Sequence, residues 1–325
     1  MRKYFLLVAV LPVLLLADKT ALPVEPLVPD PWLTGPLLAA SSVTIPAGHY
    51  NIEPYLYATA NTGFYNSNWG VNSRKTLWQF SLQPALQFGL TPWMDFQFNP
   101  TLNYAVSGGA QDWTLGDMPV LFDFQLYKRN VPTTDWVTAV KLFLKETFPM
   151  GKYQKLNRRE NGTDAGGEGS FQSAIGLIWG NLIHFGGVHF LSSRLSLQYT
   201  IPAPVRVQGL NVYGGGHGTN GTVYPAQNFE IDWGLESTLT QNWALALDLV
   251  ASWSGRVRFK GNPGTNPNGT TATVGQGSSA QFSLAPAIEY NWSDDLGLIA
   301  GAWFTVAGRN STQFASAIVA FNYYK

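Results

Sequence analysis

The chain has 325 residues with 20 basic and 20 acidic side chains and no cysteine, so neither a basic nucleic-acid face nor disulfides and thiolate metal sites are available. Charged residues are only 12 %, against roughly 25 % in an ordinary soluble domain, and aromatics reach 14 %. The mean hydropathy of −0.03 excludes a bundle of membrane helices and fits apolar and polar residues in alternation.

Arg2 and Lys3 precede an apolar run from Tyr4 to Leu16, followed by Ala17 and then Asp18-Lys19. This reads as a signal peptide over residues 1–17, because a membrane anchor needs about 20 apolar residues and Pro12 interrupts this run. A lipoprotein is excluded by the missing cysteine. Residues 18–48 carry Pro23, Pro26, Pro29, Pro31, Pro36 and Pro46 without a sustained period. They read as an extended lead-in, either periplasmic or tucked into a lumen as a plug.

From residue 49 to 325 the pattern is that of a barrel. Trp78, Phe80, Leu82, Pro84, Leu86, Phe88 and Leu90 alternate with polar or small residues, and after Thr91-Pro92 the pattern restarts at Met94, Phe96 and Phe98. A period of two with one apolar face is a half-buried strand. Strands this long suit a tilted crossing of an outer membrane. Twelve strands are predicted, near 50–59, 74–89, 93–105, 115–127, 136–148, 170–179, 186–201, 227–239, 243–259, 279–292, 296–306 and 313–324. The fold class is all-β, a transmembrane antiparallel β-barrel.

Loop lengths sort by parity. Thr91-Pro92, Lys128–Asp135, Gly180–Phe185, Thr240–Asn242 and Ser293–Asp295 read as short periplasmic turns. Most of the intervening connections read as longer extracellular loops, the longest being Met150–Gly169, Pro202–Ala226 and Lys260–Ser278. Trp243 and Trp253 share the apolar face of one strand. Their ten-residue separation, at about 3.3 Å per residue and a tilt of about 45°, rises roughly 23 Å, close to the ~25 Å lipid-facing band of such barrels. Trp78, Tyr104, Trp136, Trp243, Trp253, Trp292 and Tyr323 are therefore the expected girdle aromatics.

The same parity turns a set of charges inward. Glu53, Asp95, Asp123, Glu230, Asp232, Glu236, Asp248 and Glu289 are the acidic lumen candidates. Lys141, Lys145, Arg194, Arg256 and Arg258 are the basic ones. A lumen tolerates such groups, whereas each would cost about 2–4 kcal/mol on the lipid face near the midplane. They could line a selective conduit or pair as internal ion bridges.

No catalytic, cofactor or metal site emerges. His49, His184, His189 and His217 form no metal-spaced pair. His189 and Ser193 share a face, as in outer-membrane lipid hydrolases with a Ser–His pair, but residues four apart on a strand stand about 13 Å apart. Asn161-Gly162-Thr163, Asn220-Gly221-Thr222 and Asn268-Gly269-Thr270 read as turn chemistry and not as glycosylation sites.

Three stretches resemble a family of Gram-negative outer-membrane barrels named for the meta-pathway of phenol degradation. They are Leu115-Gly116-Asp117 leading into Val120–Tyr127, the run Leu142–Gly151 (LFLKETFPMG), and Val306–Asn310 (VAGRN) before the last strand. Met150 stands where the family typically has Thr. The resemblance implies a transporter of small solutes, aromatic or apolar ones included. The final run Ala315, Ala317, Val319, Phe321, Tyr323 resembles the terminal-strand signal read by the barrel-assembly machinery, although Tyr324 and Lys325 follow it. The expectation is an outer-membrane channel with lipid, the assembly machinery and a small solute as partners, no cofactor and no enzymatic activity. A surface barrel that displays its loops without transport is the alternative.

Overall fold

A computed structural model describes residues 31–129 and 136–325. The signal-peptide segment, the first part of the lead-in and most of the Lys128–Asp135 turn lie outside the described residues, as does the side chain of Trp136.

The strands are β1 (Tyr50–Tyr65), β2 (Val71–Thr91), β3 (Met94–Phe98), β4 (Leu102–Ser107), β5 (Ala110–Leu115), β6 (Met118–Arg129), β7 (Trp136–Phe148), β8 (Gln172–Gly186) and β9 (His189–Pro202). They continue as β10 (Val205–Gln208), β11 (Asn220–Tyr224), β12 (Asn228–Thr238), β13 (Trp243–Ser254), β14 (Arg258–Asn262), β15 (Ser279–Asn291), β16 (Leu296–Arg309) and β17 (Ser311–Tyr324). Fourteen of them form one antiparallel sheet, which closes because β1 pairs with both β17 and β2. β3 and β4 are two halves of one barrel strand, interrupted at Pro100, which has no N–H to give to a ladder. β5 and β6 are likewise one strand broken at Gly116-Asp117. Asn99 N donates to Pro119 O and Gly116 N to Thr101 O, so pairing carries across the break. The result is a closed barrel of twelve antiparallel strands.

Closure leaves no sheet edge unsatisfied, the condition for placing strands in hydrocarbon. Outward residues such as Leu82, Ile175, Trp179, Leu245 and Val319 are exposed, while their inward neighbours Ile178, Ala244, Ile318 and Ala320 are buried. A continuous apolar outer face of this kind belongs in lipid. At the end bearing the short turns, Trp243 packs on Tyr290 at 4.7 Å, Tyr290 on Trp292 at 5.2 Å and Trp292 on Phe321 at 6.1 Å between ring centres. At the same end Tyr323 packs on Tyr50 at 6.2 Å. At the opposite end Trp253 packs on Phe229 and Phe282, while Trp78, Phe80, Tyr104 and Trp113 form a second chain of ring contacts.

Strand ends depart from the sequence expectation in instructive ways. The turn expected at Gly180–Phe185 is instead Gly187-Val188, and Gly180 stays inside β8. The first, second and sixth outer connections are tight, spanning residues 66–70, 108–109 and Asn310 alone. Only the other three are long, because β1, β2, β5 and β17 extend into segments read as loop. Their strands β10, β11 and β14 form a small sheet of their own around Val205, Val207 and Val223.

Leu247 lies on the outward face of β13, midway between Trp243 and Trp253. Replacing it by Arg should destabilise the folded barrel in lipid vesicles by about 2–4 kcal/mol, measured by urea-dependent unfolding.

Candidate functional site: the lumen and its inserted segment

Residues 31–45 run inside the lumen, and residues 46–48 lead out of it. Both ends of this stretch are near the turn end: Trp32 O accepts from Asn291 Nδ2, and Gly48 N donates to Gly89 O. An extended chain there has backbone N–H groups with no ladder of its own. The barrel wall supplies acceptors, and most are carboxylates. Thr34 N donates to Glu289 Oε2 at 3.0 Å and Gly35 N to Glu236 Oε1 at 2.9 Å. Leu38 N and Ala39 N both donate to Asp248, at 3.3 and 3.0 Å. Ile45 N donates to Asp95 Oδ2 at 2.8 Å, while Thr44 N uses the neutral Gln125 Oε1 at 2.9 Å.

Space is matched as well as polarity. A Cβ added to Gly234 would stand 2.6 Å from Ala39 Cβ and 2.8 Å from Pro36 Cγ, and one on Gly301 would stand 2.7 Å from Leu37 Cδ1. Added side chains at Gly89, Gly180 and Gly297 would collide with Pro46, Ser42 and Thr34. Inward glycines thus leave the groove that the segment occupies. Leu37, only 2 % exposed, anchors it among Ala246, Ala285, Ile299, Ile318 and Ala320, with Tyr55, Tyr57 and Trp303 alongside. On the β13–β17 and β1 side the lumen is therefore packed with apolar side chains.

The opposite side is open. A cavity of about 230 Å³ lies beside Leu38 and Ala40, walled by Gln97, Phe143, Ile178, Ser196, Glu230 and Asp232 among others. A second, of about 400 Å³, lies at the loop end between the outer parts of β7, β8, β9, β12 and β13 and the long loops. Lys145 and Gln198 line both. A third, of about 370 Å³, lies between the inserted segment at Ser41–Val43 and β7, β8 and β9, where Arg194 and Gly180 face it.

Most of the expected lumen charges meet along these walls. Asp95 stands opposite Asp123 in register, and Lys141 Nζ bonds Asp123 Oδ2 at 2.6 Å, with both side chains buried. Arg194 Nη2 reaches Glu236 Oε2 at 3.4 Å. Lys145 Nζ donates to Gln198 Oε1 at 2.5 Å, and Glu53 Oε1 accepts from Tyr55 Oη at 3.0 Å. Glu230 and Asp232 face the central cavity. Arg256 and Arg258 are corrections: β13 ends at Ser254, so both lie in the outer connection and are exposed. A strand extrapolated to residue 259 had carried them onto the wall.

Sequence reasoning missed the carboxylate–amide contacts, since their donors lie 50 to 255 residues away in the chain. It also missed Glu168, a loop residue whose backbone N donates to Asp117 Oδ2 at 2.7 Å. Burial, and secondarily the nearby Asp117 carboxylate, raise the Glu168 acid above its ordinary range. Ser193 accepts from the Trp233 indole at 3.0 Å on the outer wall.

A closed twelve-stranded barrel with girdled apolar walls and a polar interior is an outer-membrane β-barrel. A solved outer-membrane channel from Pseudomonas putida F1 superposes on the chain with a TM-score of 0.66 at 13 % identity, covering 88 % of this chain and 98 % of that one. Looser matches, which share no more than barrel character, include the translocator domain of the autotransporter NalP from Neisseria meningitidis (TM-score 0.42, 8 % identity, 85 % and 88 % covered). The monoaromatic hydrocarbon channel CymD is another (0.36, 6 %, 86 % and 89 %). No family model matches the sequence, and comparison with curated proteins finds no relative.

Asp248→Ala leaves the buried Ala39 N–H and the half-buried Leu38 N–H without their acceptor, at about 1–3 kcal/mol for the buried one. Hydrogen exchange at Leu38 and Ala39 should then accelerate by about tenfold or more, read by mass spectrometry. The strands β13 and β15 should keep their protection.

Proposed function

We propose that the protein is an outer-membrane channel for small solutes, whose route follows the β7–β8–β9–β12 side of the lumen and whose residues 31–48 are a plug. The observation that carries this reading is the division of the lumen. One side is filled by Leu37 and its apolar neighbours, and the other holds the cavities of about 230 and 400 Å³ that meet at Lys145 and Gln198. The third cavity continues on the turn side of the segment. Residues 1–17 are, in the same reading, the export signal, and the outward terminal strand β17 is what the assembly machinery engages. Membership of the phenol meta-pathway barrel family, and with it an aromatic or apolar cargo, is supported by the three sequence stretches quoted above. The Pseudomonas putida F1 match adds the shared barrel fold.

Residues Glu230 and Asp232 give the central cavity an acidic wall, and among the described residues neither accepts an amide of the plug. Cations should therefore be favoured there.

Loop display without transport is the second reading, favoured by the ordered outer sheet of β10, β11 and β14. Planar-bilayer recordings separate the two. Removing residues 31–45 should raise single-channel conductance severalfold. Absence of both current and liposome solute uptake, with and without this stretch, would sink the channel reading. Combining Glu230→Gln with Asp232→Asn should lower the cation preference of the current, measured as a reversal-potential shift in a salt gradient.

A further inference from the structure

We infer that the loop-end cavity is a binding site for a small, uncharged, polyhydroxylated solute of about monosaccharide size. The inference rests on the channel reading and gives its outer mouth a solute class other than the aromatic or apolar cargo that the family resemblance implies; as a binding site it does not require that the solute pass through.

Three observations lead there. The first is size and enclosure: a cavity of about 400 Å³ is within the range of small-molecule sites, and here barrel strands and long loops both contribute walls. The second is the charge balance. Lys145 and Glu168 are the charged side chains lining it, one of each sign. Neither an anion nor a cation is favoured by the pair, and the acidic residues Glu230 and Asp232 of the adjoining cavity further disfavour an anion at Lys145.

The third is hydrogen-bond character. Side-chain amides at Gln172, Gln198, Asn228 and Gln276 and hydroxyls at Thr200 and Ser254 form the walls. An amide offers donors and an acceptor, and a hydroxyl offers both, so such walls complement a ligand whose own groups are hydroxyls. Part of this set is already ordered by internal bonds. Gln198 Nε2 donates to Thr200 Oγ1 at 3.2 Å while its Oε1 accepts from Lys145. Ser254 Oγ donates to Asn228 Oδ1 at 3.1 Å, and Gln172 Nε2 donates to Glu168 Oε2 at 3.2 Å. Those links orient the amides before a solute arrives and so reduce the ordering that binding requires. Tyr213, held by its Oη–H donation to Glu168 O at 2.9 Å, gives the cavity an aromatic side chain with Pro202 and Pro225 nearby. A ring with apolar C–H faces and polar edges matches both kinds of wall. A hydrocarbon would strip water from the amides and return no hydrogen bond.

The test is ligand-observed saturation-transfer NMR on the full chain refolded in detergent, with D-glucose, phenol and benzoate as separate probes. Glucose should receive saturation that phenol and benzoate do not compete away. Gln276→Trp, which fills the cavity without touching a described side-chain bond, should weaken glucose binding by about tenfold or more, a change of about 1.4 kcal/mol. Thr200→Val should weaken it by a smaller factor, and heat-modifiable gel mobility checks that each variant is folded. Absence of glucose saturation, equal competition by phenol or benzoate, or unaltered binding in folded Gln276→Trp would each overturn the inference. Because binding is read without a membrane, the two readings fail separately. Binding without current or liposome uptake would leave the site and remove the channel, whereas current or uptake without binding would do the reverse.

Discussion

A stretch of extended backbone inside a barrel needs partners for its N–H groups, and that requirement organises the lumen. Helices and sheets satisfy such groups within themselves, but Thr34 to Ile45 cannot. Glu289, Glu236, Asp248 and Asp95 do it from the wall. Carboxylates that would be expensive in hydrocarbon are thereby matched on the inner face. The acid-rich interior is first a scaffold for the inserted segment. What is left over, chiefly Glu230 and Asp232, lines the central cavity.

Volume follows the same logic. Where the segment runs, the wall is reduced to glycine or alanine at Gly180, Gly234, Gly301, Ala246 and Ala285. Where it does not run, Phe143, Lys145, Gln198 and Glu230 project into open cavities. The interior is thus asymmetric: one side is close-packed like a soluble core, and the other is polar and unfilled. Cavities remain because the segment covers only part of the cross-section.

Much of this architecture was legible from alternation. Residues such as Ile175 and Leu245 face out and Asp95, Asp248 and Glu289 face in because the strand period leaves no other choice. What escaped the sequence has identifiable causes. Gly180 looked like a turn because glycine breaks strands, yet it is glycine so that Ser42 fits against the wall. Arg256 and Arg258 kept the alternation of β13 past its end, where they belong to the outer connection. Tight hairpins at Gly108-Gly109 and Asn310 hid inside polar stretches that resembled loops. The outer cavity could not be read at all, since Lys145, Gln198, Tyr213 and Gln276 come together only through long-range pairing and loop folding.

The inserted segment leads directly into β1, the strand whose pairing with β17 joins the two ends of the chain, with Ile52 opposite Tyr323. Its own bonds reach equally far: Thr34 meets Glu289 across 255 positions and Gly35 meets Glu236 across 201. Most other neighbours in the barrel are consecutive hairpin strands, which hold together locally. The segment is therefore an internal latch beside the seam, coupling residues 34–39 to the last third of the chain. Contacts of such long sequence separation are slow to form. Seating the latch and zipping the seam therefore engage one continuous stretch of chain, residues 31 to 65.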